Sequence, residues 1–404
     1  MNIEDTLKLA IKLHNDHNLE AARRLYDKIL KQNTNHPDAN HLAGLVSLSE
    51  GQIDDASAKI KKAIKLLPNE ANYYNSLGNL LKIKNKTDEA VNAYSRALEI
   101  NPELHEPQYN LGKILEKIGR LDDAKYHLTE AVQMAPNSYA SNFSLARILL
   151  KLEKFSEAKY FFQQALTIEP DNSGALNGFA FALEKLNMLD DSIQFYEKSL
   201  RNEPNVPATL NNLGHALLAS GRADEALYFF QKCLEIEPDD QVTWDRYLFA
   251  LIFSETSDRD IIFLENKRWA AEIEKKVSLS VSFSHILLNP NKKIRIGYYS
   301  NEFYSHVTSL FFKTLLKHHN RERYQIYCYS NSIKQDEVTA HLQKNSDFWR
   351  DVSKIKPSKI AQKVRADNID IFVGTTNFLA SNRIVLAHQP APIIVSYMNQ
   401  VSTT

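Results

Sequence analysis

Hydrophobic positions over residues 3–240 recur with a spacing of three and four, as in Leu77, Leu80 and Leu81, which indicates amphipathic helices. Prolines recur every 34 residues, from Pro68 to Pro238. Because a proline cannot continue a helix interior, each one marks a point where a helix has ended. The pattern therefore predicts helical hairpins that repeat with a 34-residue period.

Further positions recur in phase with the prolines, and each has a packing role. Small residues let two helices approach closely, and a bulky position fills the space between one hairpin and the next. One small position is held by Ala10, Gly44, Gly78, Gly112, Ala146, Ala180 and Gly214. The bulky position is held by Tyr26, Ile60, Tyr94, Leu128, Phe162, Tyr196 and Phe230.

This period and these positions resemble the tetratricopeptide repeat (TPR), a helix–turn–helix unit. Seven repeats are predicted, at 3–36, 37–70, 71–104, 105–138, 139–172, 173–206 and 207–240. A single repeat cannot bury its apolar face alone, so neighbours must stack into an α-solenoid. The resemblance implies that the first helix of each repeat lines a concave groove.

Side chains on the first helices are the candidates for binding a partner in that groove. They are Asn75, Asn79, Tyr109, Asn110, Phe143, Arg147, Asn177, Asn211, Asn212 and His215. An asparagine amide both donates to and accepts from a peptide backbone without demanding a particular sequence. The expected partner is therefore a protein or peptide.

Charge and cysteine content argue against nucleic-acid-binding, membrane-binding and disulfide-stabilised classes of protein. The chain of 404 residues has a net charge of zero, which removes the usual argument for binding nucleic acid or an anionic membrane. The charge is divided, at −7 for residues 1–240 and +7 for residues 293–404. The two cysteines, Cys233 and Cys328, need no disulfide framework, so a cytoplasmic location fits. No histidine or cysteine spacing suits a metal, so no metal site is expected.

Residues 241–292 break the repeat and are predicted to be capping helices and a linker. TWDRYLFALIFS predicts a helix that covers the last repeat, and a second helix is expected at 258–276. On that second helix, Trp269, Ile261 and Leu264 are interpreted as a packing stripe. The small and polar residues that follow, with Pro290, are typical of a linker.

From Lys293 the pattern changes to short apolar runs that alternate with helical segments. Strands are predicted at 294–300, 324–330, 348–352, 369–374 and 392–398, with helices at 308–319, 336–346 and 357–368. This alternation predicts parallel βαβ units of a partial Rossmann-like α/β domain over 293–404. Ligands of such sheets sit beyond the carboxyl ends of the strands.

RIGYYSNEFYSHVTS, YQIYCYSN, IDIFV, Arg383 and QPAPIIVSY follow an order that resembles the protein O-linked N-acetylglucosamine transferases, including the plant SPINDLY proteins. That family joins a TPR array to a two-lobed GT-B glycosyltransferase. The resemblance implies that His306 matches a histidine of the active-site cleft. It also implies a UDP-sugar as the donor and no other cofactor.

The chain departs from the family pattern at two loops. The family's acidic, glycine and polar-ring positions are replaced around Gly374, Thr375, Asn377, Phe378 and Leu379. A tight-glycine segment is replaced by Tyr397, Met398, Asn399, Gln400, Val401 and Ser402. The sequence ends at Thr404, where the family continues into a second lobe, so the expectation is a truncated lobe whose sheet has an unpaired edge open to another chain.

Two functions fit these observations. The first is a protein–protein interaction scaffold that carries a degenerate transferase lobe without activity of its own, in which His306 is a loop residue. The second is part of a UDP-sugar-dependent protein O-glycosyltransferase, in which the repeats hold the acceptor polypeptide and His306 faces the cleft.

Overall fold

The computed structural model describes residues 2–275, 277, 283, 292–375 and 380–396. The chain divides into two compact units, Met1–Asn202 and Glu203–Thr404. No helix among the described residues has both the length and the apolar character needed to cross a bilayer.

The described part of the first unit consists of helices that pair in chain order into antiparallel hairpins. They are α1 (Ile3–Asn15), α2 (Leu19–Gln32), α3 (Pro37–Ser49), α4 (Ile53–Leu66), α5 (Ala71–Ile83), α6 (Thr87–Ile100), α7 (His105–Lys117), α8 (Leu121–Met134), α9 (Tyr139–Lys151), α10 (Phe155–Ile168), α11 (Ser173–Lys185) and α12 (Leu189–Asn202). The predicted helical repeats are therefore confirmed.

The recurring bulky residues are buried against the recurring small ones. Tyr94 of α6 and Leu128 of α8 are fully buried. A Cβ atom added to Gly78 would lie 2.5 Å from the Tyr94 ring, and one added to Gly112 would lie 2.6 Å from Leu128. These distances are far below van der Waals contact, so the bulky side chains occupy the space that glycine leaves open.

The turn inside each hairpin places one residue in the left-handed backbone region. Gly119, between α7 and α8, has φ of +81°, which costs glycine nothing. Glu153 occupies the equivalent turn between α9 and α10 with φ of +57°. A left-handed φ is unfavourable for a residue with a Cβ atom, so the packing of the two helices must hold this turn in place.

The second unit begins with four helices. They are α13 (Pro207–Ala219), α14 (Ala223–Ile236), α15 (Gln241–Phe253) and α16 (Arg259–Glu274). Helix α15 packs on α14, as predicted for a helix that covers the last repeat. The predicted stripe on α16 is only partly correct: Trp269 is buried, but Ile261 is exposed and 61% of Leu264 is exposed.

The described remainder of the second unit contains a five-stranded parallel sheet with order β3-β2-β1-β4-β5. The strands are β1 (Ile294–Ser300), β2 (Tyr324–Ser330), β3 (Phe348–Asp351), β4 (Ile371–Gly374) and β5 (Ile393–Ser396). The helices are α17 (Val307–His318), α18 (Glu337–Lys344), α19 (Pro357–Ala366) and α20 (Ala380–Ala387). The predicted parallel α/β fold is confirmed, whereas α20 was not predicted.

Alternating residues of the central strands build a core on each face of the sheet. Tyr298 of β1 packs on one face with Phe312 and Leu316 of α17. Tyr299, the next residue, packs on the other face with Ile360 and Val364 of α19. This period of two explains why the strands read as continuous apolar runs, since both faces are covered.

Candidate functional site

The carboxyl ends of β1 and β4 form the candidate site of the sheet. The strand order reverses between β1 and β4, because the chain passes from β1 to β2 and β3 on one side and then to β4 on the other. Open parallel sheets bind ligands at such a reversal, beyond the carboxyl ends of the strands. The segment Asn301–His306 leaves β1 at this point, and Thr375 follows β4.

His306 lies at the start of α17, where it acts as the N-cap residue. Its Nδ1 atom accepts a hydrogen bond from the Thr308 backbone N–H at 3.3 Å. The same Nδ1 atom lies 3.3 Å from a carboxylate oxygen of Glu302. Nδ1 accepts from Thr308 when it carries no hydrogen and donates to Glu302 when it carries one, so it cannot do both at once. The histidine is therefore tied to its own loop.

Glu302 organises that loop from a buried position. Its carboxylate accepts a hydrogen bond from the Thr308 hydroxyl at 2.7 Å, and its backbone carbonyl accepts one from the Ser309 hydroxyl at 2.6 Å. The Ser305 backbone N–H donates to the Asp336 carboxylate at 2.7 Å. These bonds fix the approach to α17 and leave the exposed part of His306 at the carboxyl edge of the sheet.

Thr375 closes the end of β4 rather than facing a ligand. Its backbone N–H and its hydroxyl both donate to the Tyr299 carbonyl, each at 3.1 Å. Gly374, the last residue of β4, is buried. The predicted loop residues Asn377, Phe378 and Leu379 lie outside the described residues, as do Tyr397, Met398, Asn399, Gln400, Val401 and Ser402.

Arg383, a residue of the sequence motif, is buried in α20. Its guanidinium stacks over the Trp269 ring at 4.3 Å and donates to the Asn266 side chain at 2.7 Å. Burial lowers its pKa to about 10, an effect that the charge of Asp245 opposes. It borders a cavity of about 360 Å³ that is also lined by Phe263, Leu386 and Ile394.

The first-helix residues predicted for the groove in the first unit are less available than expected. Asn75 was expected to be exposed, but it is buried, because its amide donates to Glu106 at 2.9 Å and accepts from Asn110 at 3.4 Å. Asn79 is half-buried and accepts a hydrogen bond from the Tyr94 hydroxyl at 2.7 Å. Much of the asparagine hydrogen-bonding capacity is therefore used inside the protein.

Other candidates in the first unit keep part of their surface exposed. Tyr109, Asn110, Phe143, Arg147 and Asn177 are all half-buried. Phe143 stacks on Tyr139 with ring centroids 5.5 Å apart. These side chains come from α7, α9 and α11, the first helices of their hairpins, as the repeat pattern predicted.

In the second unit the candidates Asn211, Asn212 and His215 lie on α13 and are half-buried. The Asn211 side chain accepts a hydrogen bond from the Arg246 guanidinium at 2.8 Å. This arginine belongs to α15, so the helix that covers the last hairpin occupies one of the predicted partner-binding amides.

One charged cluster near the predicted groove residues was missed. Glu116 of α7 is buried and accepts from Lys113 at 3.1 Å, Arg147 at 3.1 Å and Lys151 at 2.8 Å. Burial raises the pKa of Glu116, but the hydrogen bonds from Lys151 and Lys113 more than offset burial, so the pKa lies below its ordinary value. The signal was present in the sequence, since Lys113 and Arg147 occupy equivalent positions 34 residues apart.

Metal-ligand groups do not converge in the described part of the chain. No group of three or more histidine, cysteine, aspartate or glutamate side chains there could hold a metal ion. His318 and His319, the adjacent histidine pair, are directed to separate partners, the Thr314 carbonyl and the Tyr298 hydroxyl.

Two stretches of the chain match models of known families. Residues 271–404 match glycosyl transferase family 41. Tetratricopeptide-repeat families match stretches between residues 78 and 240.

Two similar proteins are named as probable N-acetylglucosaminyltransferases. The chain is 32% identical over 150 residues to the probable UDP-N-acetylglucosamine–peptide N-acetylglucosaminyltransferase SPINDLY of Arabidopsis thaliana, a match that covers 36% of this chain and 16% of that protein. It is 34% identical over 115 residues to the probable enzyme SEC of the same plant, covering 28% of this chain and 12% of that one.

A solved structure is similar as well. A mutant of the Thermobaculum terrenum O-GlcNAc transferase superposes with a TM-score of 0.53 at 25% sequence identity, covering 64% of this chain and 50% of that one. The chain thus spans a minor part of the length of its named relatives. It carries tetratricopeptide repeats, and its residues 271–404 are similar to glycosyl transferase family 41.

Proposed function

We propose that the chain is a polypeptide-binding scaffold, with its repeats as the binding surface. The observation that carries this proposal is the division of labour between the helices of each hairpin. Second helices supply the fully buried residues Tyr94, Leu128 and Phe162. First helices place the half-buried polar side chains Lys113, Arg147 and His215 at one position of the 34-residue repeat. Solenoids bind partners along surfaces of this kind.

The α/β segment is proposed to accompany that scaffold without transferring sugar by itself. Two features support this part of the proposal. The loop after β4 departs from the transferase pattern at Thr375 and Asn377, and the Nδ1 atom of His306 is engaged by its own loop. The division into 1–240, 241–292 and 293–404 is likewise a proposal.

The alternative is a UDP-sugar-dependent protein O-glycosyltransferase in which the repeats hold the acceptor. It is favoured by the match to glycosyl transferase family 41 and by the place of His306 at the carboxyl edge of the sheet. In that case the exposed part of His306 would face the sugar donor, and the repeats would keep the same polypeptide-binding role.

A peptide library with and without UDP-N-acetylglucosamine tests the scaffold. The full chain is applied to an array of unrelated peptides, and affinities for the bound peptides are measured by fluorescence anisotropy. Asn110→Ala with Asn212→Ala should weaken binding about fivefold, because each amide lost removes one or two hydrogen bonds. Asn92→Ala with Asn137→Ala, at exposed positions, is the matched control.

Mass spectrometry of the bound peptides separates the two functions. The scaffold predicts unmodified peptides after incubation with the sugar donor. If N-acetylglucosamine is transferred to the peptides and His306→Ala abolishes the transfer, the scaffold proposal is wrong and the chain acts as a transferase. An array without any bound peptide would reject both roles for the repeats.

A cytoplasmic location is also proposed. It is supported by the cysteines Cys233 and Cys328, which are both buried free thiols.

Association of another polypeptide with the sheet is proposed as well. Strand β5 is an edge of the described sheet and exposes Ile393, Ile394 and Val395, so another strand could pair along this edge.

A further inference from the structure

A basin of about 470 Å³ opens between the first helices of three successive hairpins in the first unit. Helix α5 contributes Lys82, and the start of α6 contributes Thr87. The remaining lining residues come from α7 (Lys113, Ile114, Glu116 and Lys117) and α9 (Arg147 and Lys151). The described lining therefore holds five cationic side chains and one carboxylate.

The single carboxylate is committed to three of these cations. Only 7% of the Glu116 side chain is exposed, and it is within hydrogen-bond distance of Lys113, Arg147 and Lys151. Those three side chains remain between 30% and 46% exposed. Glu116 thus gathers positive charge from two helices while its own negative charge stays beneath the surface.

The basin carries an excess of positive charge that its own lining does not neutralise. One buried carboxylate cannot balance five cations, and residues 1–240 as a whole have a net charge of −7. The positive charge is therefore concentrated locally on an otherwise acidic array. Partly desolvated walls strengthen the field of such a cluster and attract anions to it.

We propose that this basin binds the side-chain carboxylates of an acidic polypeptide segment. The inference rests on the polypeptide-binding role proposed above and names the chemistry of the partner. Charge complementarity identifies that chemistry, since aspartate and glutamate side chains are the anions that an unmodified polypeptide carries along its length, apart from its C-terminal carboxylate.

The arrangement of the cations favours carboxylates spread along a chain over one phosphate group. Domains that recognise a phosphorylated side chain commonly use clustered arginines with forked donors. Here Arg147 is the one guanidinium in the described lining, and it is already bound to Glu116. The lysine amines are distributed over three helices instead of converging on one point.

The repeat itself sets a spacing that an extended chain can match. Lys113 and Arg147 occupy equivalent positions of successive repeats, and so do Lys117 and Lys151. Packed helices lie roughly 10 Å apart, which is about the length of three residues of extended chain. Acidic residues at every third position would therefore meet successive cations.

The next lysine in the same row shows that the basin is a local feature. Lys185 of α11 is one repeat beyond Lys151, but it is bound to Glu184 at 3.1 Å and lies over the Phe181 ring at 4.8 Å. It does not line the basin. The carbonyl groups at a helix end attract a lysine equally in every repeat, so this attraction alone does not explain why Lys151 lines the basin and Lys185 does not.

A designed peptide tests the inference on the full chain. The probe is a fluorescent dodecapeptide with glutamate at every third position, and its partner peptide has glutamine there. Fluorescence anisotropy in low salt should show that the glutamate peptide binds about tenfold more tightly than the glutamine peptide. Raising the salt to several times the physiological concentration should remove the difference, because exposed charges are screened.

Variants then locate the binding. Lys117→Gln with Lys151→Gln should weaken the glutamate peptide about tenfold, since each exposed ion pair contributes up to about 1 kcal/mol. Lys28→Gln with Lys61→Gln changes the net charge equally at exposed positions of α2 and α4 and should weaken it less than twofold. Equal loss in the two double variants would overturn the basin as the site.

Other outcomes also decide the matter. If a phosphoserine peptide of the same length binds more tightly than the glutamate peptide, the basin prefers phosphate and the proposed carboxylate ligand is wrong. Equal binding of the glutamate and glutamine peptides would overturn the acidic preference and leave the polypeptide-binding role intact. If neither peptide binds, the inference fails, while the peptide array decides the scaffold separately.

Discussion

The repeats and the parallel sheet use charged side chains in opposite ways. Around Glu116, one buried carboxylate holds three cations that stay partly exposed, and two more lysines stand beside them. In the sheet unit, Asp367 accepts from the Tyr329 hydroxyl at 2.8 Å and from the Arg350 guanidinium at 3.1 Å, so that one carboxylate is paired with one cation. The first arrangement leaves charge for a partner, whereas the second joins β2, β3 and the end of α19.

The difference follows from how the hairpins and the sheet place their polar side chains. A hairpin packs through its small and bulky positions, so the polar face of its first helix can change from one repeat to the next without loss of the core. In the sheet, each polar side chain at a strand end has a single place and a single set of partners. Unpaired charge is therefore tolerated around Glu116, whereas Asp367 and Arg350 pair their charges between elements of the sheet unit.

The largest expected effect tests the packing of the repeats. In Gly178→Ala the new Cβ atom would lie 2.3 Å from the ring of Phe162, which is fully buried and cannot swing away. Overpacking of this kind should cost about 3 kcal/mol of stability. Gly174→Ala is the control on the same helix, because its nearest neighbour lies at 3.4 Å.

Hydrogen exchange measured by mass spectrometry gives the readout. Amides of α10 and α11 should lose protection in Gly178→Ala, while those of β1 and β2 keep theirs. If the amides of the sheet lost protection to the same extent, the repeats and the sheet would unfold together. That result would contradict the view that the repeats pack through their own small and bulky positions.

A second test uses pH. Burial lowers the pKa of His41 to about 4, although the charge of Asp38 opposes the shift. The unfolded chain takes up a proton near pH 6.5, and the folded one does so only at lower pH. Above pH 6.5 this histidine therefore leaves the free energy of unfolding unchanged. As the pH falls from 6.5 toward 4, that free energy decreases, by about 2 kcal/mol at pH 5.

His41→Gln should flatten this pH dependence in the hydrogen exchange of α3. His318→Gln, at an exposed position of the sheet unit, should leave it unchanged. The hydrogen bond between His41 and the Ser76 hydroxyl, at 2.8 Å, joins two neighbouring first helices. An unaltered pH profile in His41→Gln would mean that another group titrates.

The smallest expected effect concerns the charge pair of Asp367 and Arg350 in the sheet unit. Asp367→Asn keeps the shape of the side chain but weakens its bonds to Tyr329 and Arg350, which should cost about 1 kcal/mol. Glu322→Gln removes the same charge at an exposed position and serves as the control. Protection should fall across β2 and β3 only in Asp367→Asn, and identical profiles would count against a structural role for this carboxylate.

Much of the fold could be predicted from the sequence because its signals are periodic. The 34-residue recurrence of Tyr94, Leu128 and Phe162 predicted their burial, and apolar runs predicted the strands. Helix α20 was missed because its eight residues are too few to show a helical period. The packing stripe on α16 was partly wrong, since apolar spacing alone does not say which residues a neighbouring element covers.

The sequence by itself determined the order of hairpins, strands and helices, since local periodicity sets which face of each element is apolar. The tertiary structure decided which polar groups remain available. Asn75 and Asn211 were expected to meet a partner, yet they are bound by Asn110 and Arg246, each 35 residues away. Hydrogen bonds and ion pairs form between side chains that are distant in the sequence, so only the folded chain shows that Asn75 and Asn211 are used internally while the cations around Glu116 outnumber the one carboxylate.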